Sequence, residues 1–196
     1  SDWPSSLLQD LHNFGHYSVR LAEGGPVMLI HGGTVDTINK VWQQMEITPG
    51  LTIPHHPGEK VHPLDWDEFN PRFEPLVEIF QVRGSYESDN CELHPENFGR
   101  EITPGNSIQT GLRKGYRFGF TSGGEHEGVG ITAMYAAELT RAGILDALRK
   151  RQVYGTTGER ILLDFRVNGA LMGQEITAQE KTVQVSIRVS GPTEIK

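Results

Sequence analysis

The stretch Gly119 to Gly128, GFTSGGEHEG, constrains this chain more than any other. An apolar run carrying Tyr116, Phe118 and Phe120 stops in small residues, and Glu125, His126 and Glu127 then arrive together. That order describes a buried strand delivering ionisable side chains to its C-terminal end, where α/β folds hold ligands and metals. Two other runs follow the same plan. Leu51 to Pro54 ends in His55-His56-Pro57-Gly58, and Leu76 to Val82 carries Glu78 between Val77 and Ile79.

A carboxylate inside LVEIFQV costs several kcal/mol, on the order of the desolvation penalty of a buried ion, unless a cation or donor meets it. Two readings of Glu78 stay open: an acid facing a metal or substrate, or an edge strand with Glu78 on its wet face. For His55-His56, strand alternation sends adjacent side chains to opposite sides, so one imidazole is expected to face a shared site. Neutral imidazole is the commonest metal ligand near pH 7. Histidine and carboxylate without cysteine suit zinc, manganese or iron in a hydrolytic site. Ser122-Gly123-Gly124 offers an alternative use as a backbone nest for an anion.

At 196 residues with a net charge of −7, the chain is long enough for a core without disulfides and lacks the basic face that nucleic acid requires. Cys91 is its single cysteine, which excludes an internal disulfide, and Cys91-x-x-His94 lacks the second pair of a closed zinc site. No run reaches the length of a membrane span, and the N-terminal SDWPSSLLQD has no signal-peptide pattern, so the compartment stays open. A small-molecule substrate is the expected partner, with no nucleic acid and no membrane.

Strand-like and helix-like stretches alternate, which favours an α/β class. Val27 to Ile30 reads as a strand ending at His31-Gly32-Gly33. Val35, Ile38, Val41, Trp42 and Met45 mark a helix, and Thr140 caps another that runs to about Gln152. Asp89 to Leu112 reads as a long loop with room for one short helix. Near the end, Val183, Val185, Ile187 and Val189 alternate with polar residues as in a half-exposed antiparallel strand, with Asn168-Gly169 supplying a turn before it.

With GEHEG, ILDALRKRQ, YGTTGERI and VNGALMG in order between Gly124 and Gly173, the chain resembles an uncharacterised bacterial family related to the PHP (polymerase and histidinol phosphatase) metal-dependent phosphoesterases. Pro54 to His56, Val77 to Glu87 and, more loosely, Gly15 to Val19 extend the likeness. The resemblance implies a partial distorted (β/α) barrel over residues 1–160, with a β-rich appendage over 161–196. It also implies a site for two or three divalent metal ions. By matching position, His55 or His56, Glu78 and His126 are its ligands, with His16 a further candidate and Arg83 or Arg160 neutralising a phosphate. Glu125 stands where the family has Asp, one methylene shorter.

Such proteins open with a His-x-His strand, and this chain has none. The expectation is therefore the C-terminal part of a metal-dependent hydrolase of phosphoesters, inactive as an isolated segment. The alternative is a non-catalytic binding module on a degenerate scaffold. Open strand edges in a truncated barrel would favour a homo-oligomer.

Overall fold

A computed structural model describes residues 16–21, 36–47, 49–61, 63–124, 128–179 and 181–192. The strand read at Val27 to Ile30 and the His31-Gly32-Gly33 turn lie outside them. The helix read from Val35 onward is α1 (Asp36–Ile47). Its buried residues Ile38, Val41, Trp42 and Met45 form the i, i+3, i+4, i+7 stripe that an amphipathic helix turns inward. Trp42 stacks on Phe73 with ring centres 6.0 Å apart, and its indole N–H donates to Thr52 Oγ1 at 3.1 Å. This contact fastens α1 to the next strand.

Strand β1 (His16–Leu21) pairs antiparallel with β2 (Gly50–His55), which sets His16 opposite His55. Strand β3 (Leu76–Gln81) lies between β4 (Gly84–Ser85), antiparallel, and β5 (Gly119–Ser122), parallel. Thr52 N–H donates to Phe73 O at 2.8 Å, and His56 N–H donates to Glu78 Oε2 at 3.1 Å. These two bonds make β2 run beside β3 in the same direction. The C-terminal ends of β2, β3 and β5 consequently meet at one side of the molecule.

Between β3 and β5 the chain makes a 3₁₀ turn (Pro95–Phe98) and the short helix α2 (Ile108–Arg113). Strand β6 (Ile131–Met134) pairs antiparallel with β7 (Val153–Thr156), and α3 (Arg141–Arg149) connects them. Thr140 caps α3 as its sequence suggests, its hydroxyl accepting from Gly143 N–H at 3.0 Å. Last comes β8 (Leu162–Val167), flanked by β9 (Ala170–Leu171) and β10 (Val185–Ser190), both antiparallel. Asn168 and Gly169, at φ 49 and 81, make the two-residue turn that hairpins favour, and it joins β8 to β9.

Burial is divided among three clusters. Leu51, Ile53 and Leu76 meet Leu145, Leu148 and Val153, which sandwiches β2 and β3 against α3. Leu64, Trp66, Phe69, Val77, Tyr86, Ile108 and Phe118 form an aromatic-rich cluster on the other side of β3. The third joins the α1 stripe to Phe73, and Tyr17 packs against both it and the aromatic cluster.

The expected α/β barrel is not the architecture. Among the described residues the strands form four small sheets, no barrel closes, and β3–β5 is the one parallel ladder. The three helices do not alternate with strands as covering layers. Apolar strand runs look alike whether they pair with a sequence neighbour or with a distant parallel strand, and here most pair antiparallel. Among the described residues no helix is long and apolar enough to cross a membrane.

Two positions test this packing. Glu74 is fully buried; its Oε2 accepts Asn70 N–H at 2.6 Å, its Oε1 has no hydrogen-bond partner among the described residues, and the Tyr17 phenol is close enough to feel its charge. Burial pushes the Glu74 carboxyl up to about 8, and burial together with the adjacent Glu74 raises the Tyr17 phenol well above its usual value. The folded state therefore holds a proton that the unfolded carboxyl releases near its ordinary pKa of about 4.3. Stability is greatest below that value and is lost as pH rises through about 8. Glu74→Gln is expected to flatten this decline and so to gain stability relative to the native sequence between about pH 5 and pH 9, measured by urea denaturation across pH.

Gly111 in α2 touches the Trp66 ring, and a β-carbon there would overlap it. Alanine gains about 1 kcal/mol of helix propensity over glycine. The ring is wedged against Phe69 and Phe118 and cannot retreat, so the overlap prevails. Gly111→Ala is expected to lower stability by about 1–2 kcal/mol in denaturation experiments.

Candidate functional site

The end of β2 departs from strand geometry at His56, whose φ of 36 lies in the left-handed region. Alternation therefore fails at this point. The His55 and His56 rings lie side by side, centres 4.3 Å apart and tilted by 54°, instead of on opposite faces. Glu59 N–H then donates to His56 O at 3.1 Å, closing a turn that carries Glu59 back beneath the histidine.

Glu78 is the anchor on the β3 side. With β3 paired on both edges and the side chain only 8% exposed, the wet-edge reading of this residue falls. Its Oε2 receives His55 Nδ1 at 2.6 Å and the His56 backbone N–H at 3.1 Å. Its Oε1 faces Gly123 at the end of β5, where a β-carbon would stand 2.7 Å away. Only glycine leaves room for the carboxylate at that position. A carboxylate holding the Nδ1 proton fixes the imidazole orientation and concentrates its basicity at Nε2, the arrangement found behind metal-ligating and proton-transferring histidines.

A second buried acid stands behind this pair. Glu59 is 2% exposed, and its Oε2 lies 3.3 Å from His56 Nδ1 and 2.8 Å from Arg83 Nη1. Its Oε1 receives Arg100 Nε at 2.7 Å and a close Nη2 contact from the same guanidinium. Arg83 follows β3, and Arg100 follows the 3₁₀ turn. One carboxylate thus ties the β2 turn to two later segments. In sequence, Glu59 looks like part of a solvated Pro-Gly-Glu-Lys turn, and no local signal marks it as buried.

Several expected site residues sit elsewhere or do other work. The side chain of His16, and Glu125 and His126 as a whole, lie outside what is described; the chain is defined up to Gly124 and again from Gly128. Arg83 neutralises Glu59, a protein carboxylate. Arg160 is exposed on the β7–β8 connection and meets no carboxylate among the described residues. The anion-nest reading of Ser122 to Gly124 fails, because Ser122 N–H donates to Thr132 Oγ1 at 2.9 Å and Gly123 N–H to Phe80 O at 3.0 Å. Tyr154 to Thr156 belong to β7, and Thr156 Oγ1 donates to Glu159 O at 2.8 Å where the chain leaves that strand. In Cys91-x-x-His94, His94 N–H bonds Cys91 O at 3.1 Å, and the thiol donates to Ser85 O at 3.3 Å.

No group of three or more His, Cys, Asp or Glu side chains among the described residues is arranged to hold a metal ion. With Glu78 held on Nδ1, His55 can supply one nitrogen donor through Nε2, which fits zinc, manganese or iron in kind, and the donor set among the described residues is incomplete in number.

What this geometry defines is a buried histidine–carboxylate pair at the shared C-terminal end of neighbouring strands. In sequence, residues 96–192 match a family described as proteins of unknown function, DUF3604. The chain is also 33% identical to an uncharacterised protein of Chlamydia pneumoniae over 159 residues, 72% of this chain and 26% of that relative. Uncharacterised proteins of Chlamydia trachomatis serovar D and Chlamydia muridarum are 28% and 29% identical over 173 residues, covering 79% of this chain and 28% of theirs. The chain thus spans about a quarter of the length of these relatives. No solved structure matches it.

Neutralising Glu59 would leave two guanidinium groups against an uncharged, buried partner. Glu59→Gln is expected to cost about 3 kcal/mol in chemical denaturation, whereas a solvated turn residue at this position would cost nothing measurable.

Proposed function

We propose that this segment contributes part of the site of a metal-dependent hydrolase acting on phosphoesters. The observation that carries the reading is the His55–Glu78 pair, joined at 2.6 Å and set against Gly123, two residues before Glu125-His126 in sequence. The resemblance to PHP-type phosphoesterases in GEHEG and YGTTGERI supports the same chemistry. A divalent ion, when bound, supplies charge that polarises a phosphoryl oxygen and acidifies water. Glu78 holds the His55 ring in one orientation and keeps its Nδ1 proton in place. His55 would then present Nε2, on the side of the ring away from Glu78, as a nitrogen donor, and Glu78 acts by orienting that ring.

With one candidate nitrogen donor and its orienting carboxylate among the described residues, the isolated segment is expected to bind manganese or zinc weakly and to leave an aryl phosphate intact. The longer polypeptide is expected to hydrolyse that substrate only with metal present. Within it, His55→Ala and Glu78→Gln each lower kcat/KM by about 10–100-fold. Equilibrium dialysis and phosphate release measure both expectations. Turnover that ignores both substitutions, or that survives a chelator, defeats the proposal. Tight stoichiometric metal with turnover by the segment alone shows the site to be complete within it. The incomplete donor set also favours a second reading, a binding module without catalysis, for which the longer protein would retain metal but release no phosphate.

A further inference from the structure

The β9–β8–β10 sheet has one open side, and its chemistry is uniform. The registers Val185 with Val167, Ile187 with Phe165 and Val189 with Leu163 put six apolar side chains on one face. Val185, Ile187 and Val189 are 52%, 59% and 45% exposed. None of the six joins a core cluster of the described residues. An antiparallel sheet normally turns a polar face to water and buries its apolar one.

The backbone tells which way the edge points. Leu163 N–H donates to the Tyr154 hydroxyl at 3.1 Å, and Leu163 O accepts from the Tyr135 hydroxyl at 2.6 Å. Phe165 O accepts Met172 N–H at 3.0 Å. These groups point away from β10, so Leu163 and Phe165 occupy non-hydrogen-bonded pairs with Val189 and Ile187. The β10 partners therefore turn their own N–H and C=O groups outward, to the open edge. Gln184 O accepts Asn168 N–H at 2.8 Å and fixes the same alternation from the other end.

Natural edge strands are commonly blunted by proline, lysine, a bulge or short length. The β10 sequence VSIRVS has neither proline nor lysine, runs for six residues and pairs with β8 without a register shift. Both its outer backbone edge and its apolar face are thus in the form that accepts another strand.

We infer that this chain, like the matched region of its relatives, is part of a longer polypeptide and that β10 receives a further β-strand from it, extending the sheet. The occupant is assigned to the same polypeptide because the relatives carry most of their length outside the matched region. The added strand would alternate, presenting apolar side chains on the face of Ile187 and polar ones on the face of Arg188.

Hydrogen exchange on the full-length polypeptide tests this directly. The amides of Val185, Ile187 and Val189 are expected to be protected as strongly as those of Ser186 and Arg188, at every protein concentration. Fast exchange confined to the three outward amides overturns the inference. So does protection that grows with concentration, which would assign the edge to a second copy, and so does a coding sequence that stops near Lys196.

Discussion

The described fold turns on a carboxylate in the middle of a strand. Glu78 is buried in the middle of β3, so its charge must be met by neighbours or not exist. His55 and the His56 N–H meet it from β2, and Gly123 on β5 makes way for it. Three strand ends are consequently brought to one place by a single electrostatic demand. The left-handed backbone at His56 belongs to the same solution, because it lets one histidine offer its ring and the next its amide.

Glu59 repeats the principle one turn later at larger scale. Its two arginines come from segments that follow β3 and the 3₁₀ turn, so the carboxylate stitches the long excursion between β3 and β5 to the end of β2. That excursion lacks a covering helix and draws its order from such contacts and from the aromatic cluster around Trp66. The two acids therefore divide the labour: Glu78 shapes the candidate site, and Glu59 holds the turn that carries it.

Local features were legible in the sequence. The α1 stripe, the Thr140 cap, the strand runs at Leu51 and Leu76 and the Asn168-Gly169 turn all follow from periodicity and turn chemistry within a few residues. Pairing was not legible. Leu51 to Pro54 would serve equally as a barrel strand or as half of a hairpin, and only tertiary contacts decide that it pairs antiparallel with β1. At the site, the strand-end pattern pointed to His55 and Glu78. The alternation rule misjudged His56, because it assumes extended backbone. Glu59 escaped notice because its partners lie 24 and 41 residues further along the chain.

The arrangement of the tryptophans has a practical consequence. Trp42 belongs to the α1 cluster and donates to Thr52, whereas Trp66 is buried in the aromatic cluster, with no acceptor for its indole N–H among the described residues. The two fluorophores thus sit in chemically different surroundings on separate parts of the core. Replacing Trp3 together with either Trp42 or Trp66 by phenylalanine would leave one cluster at a time with its own optical reporter. Their emission could then show whether the two parts of the core melt together or in sequence.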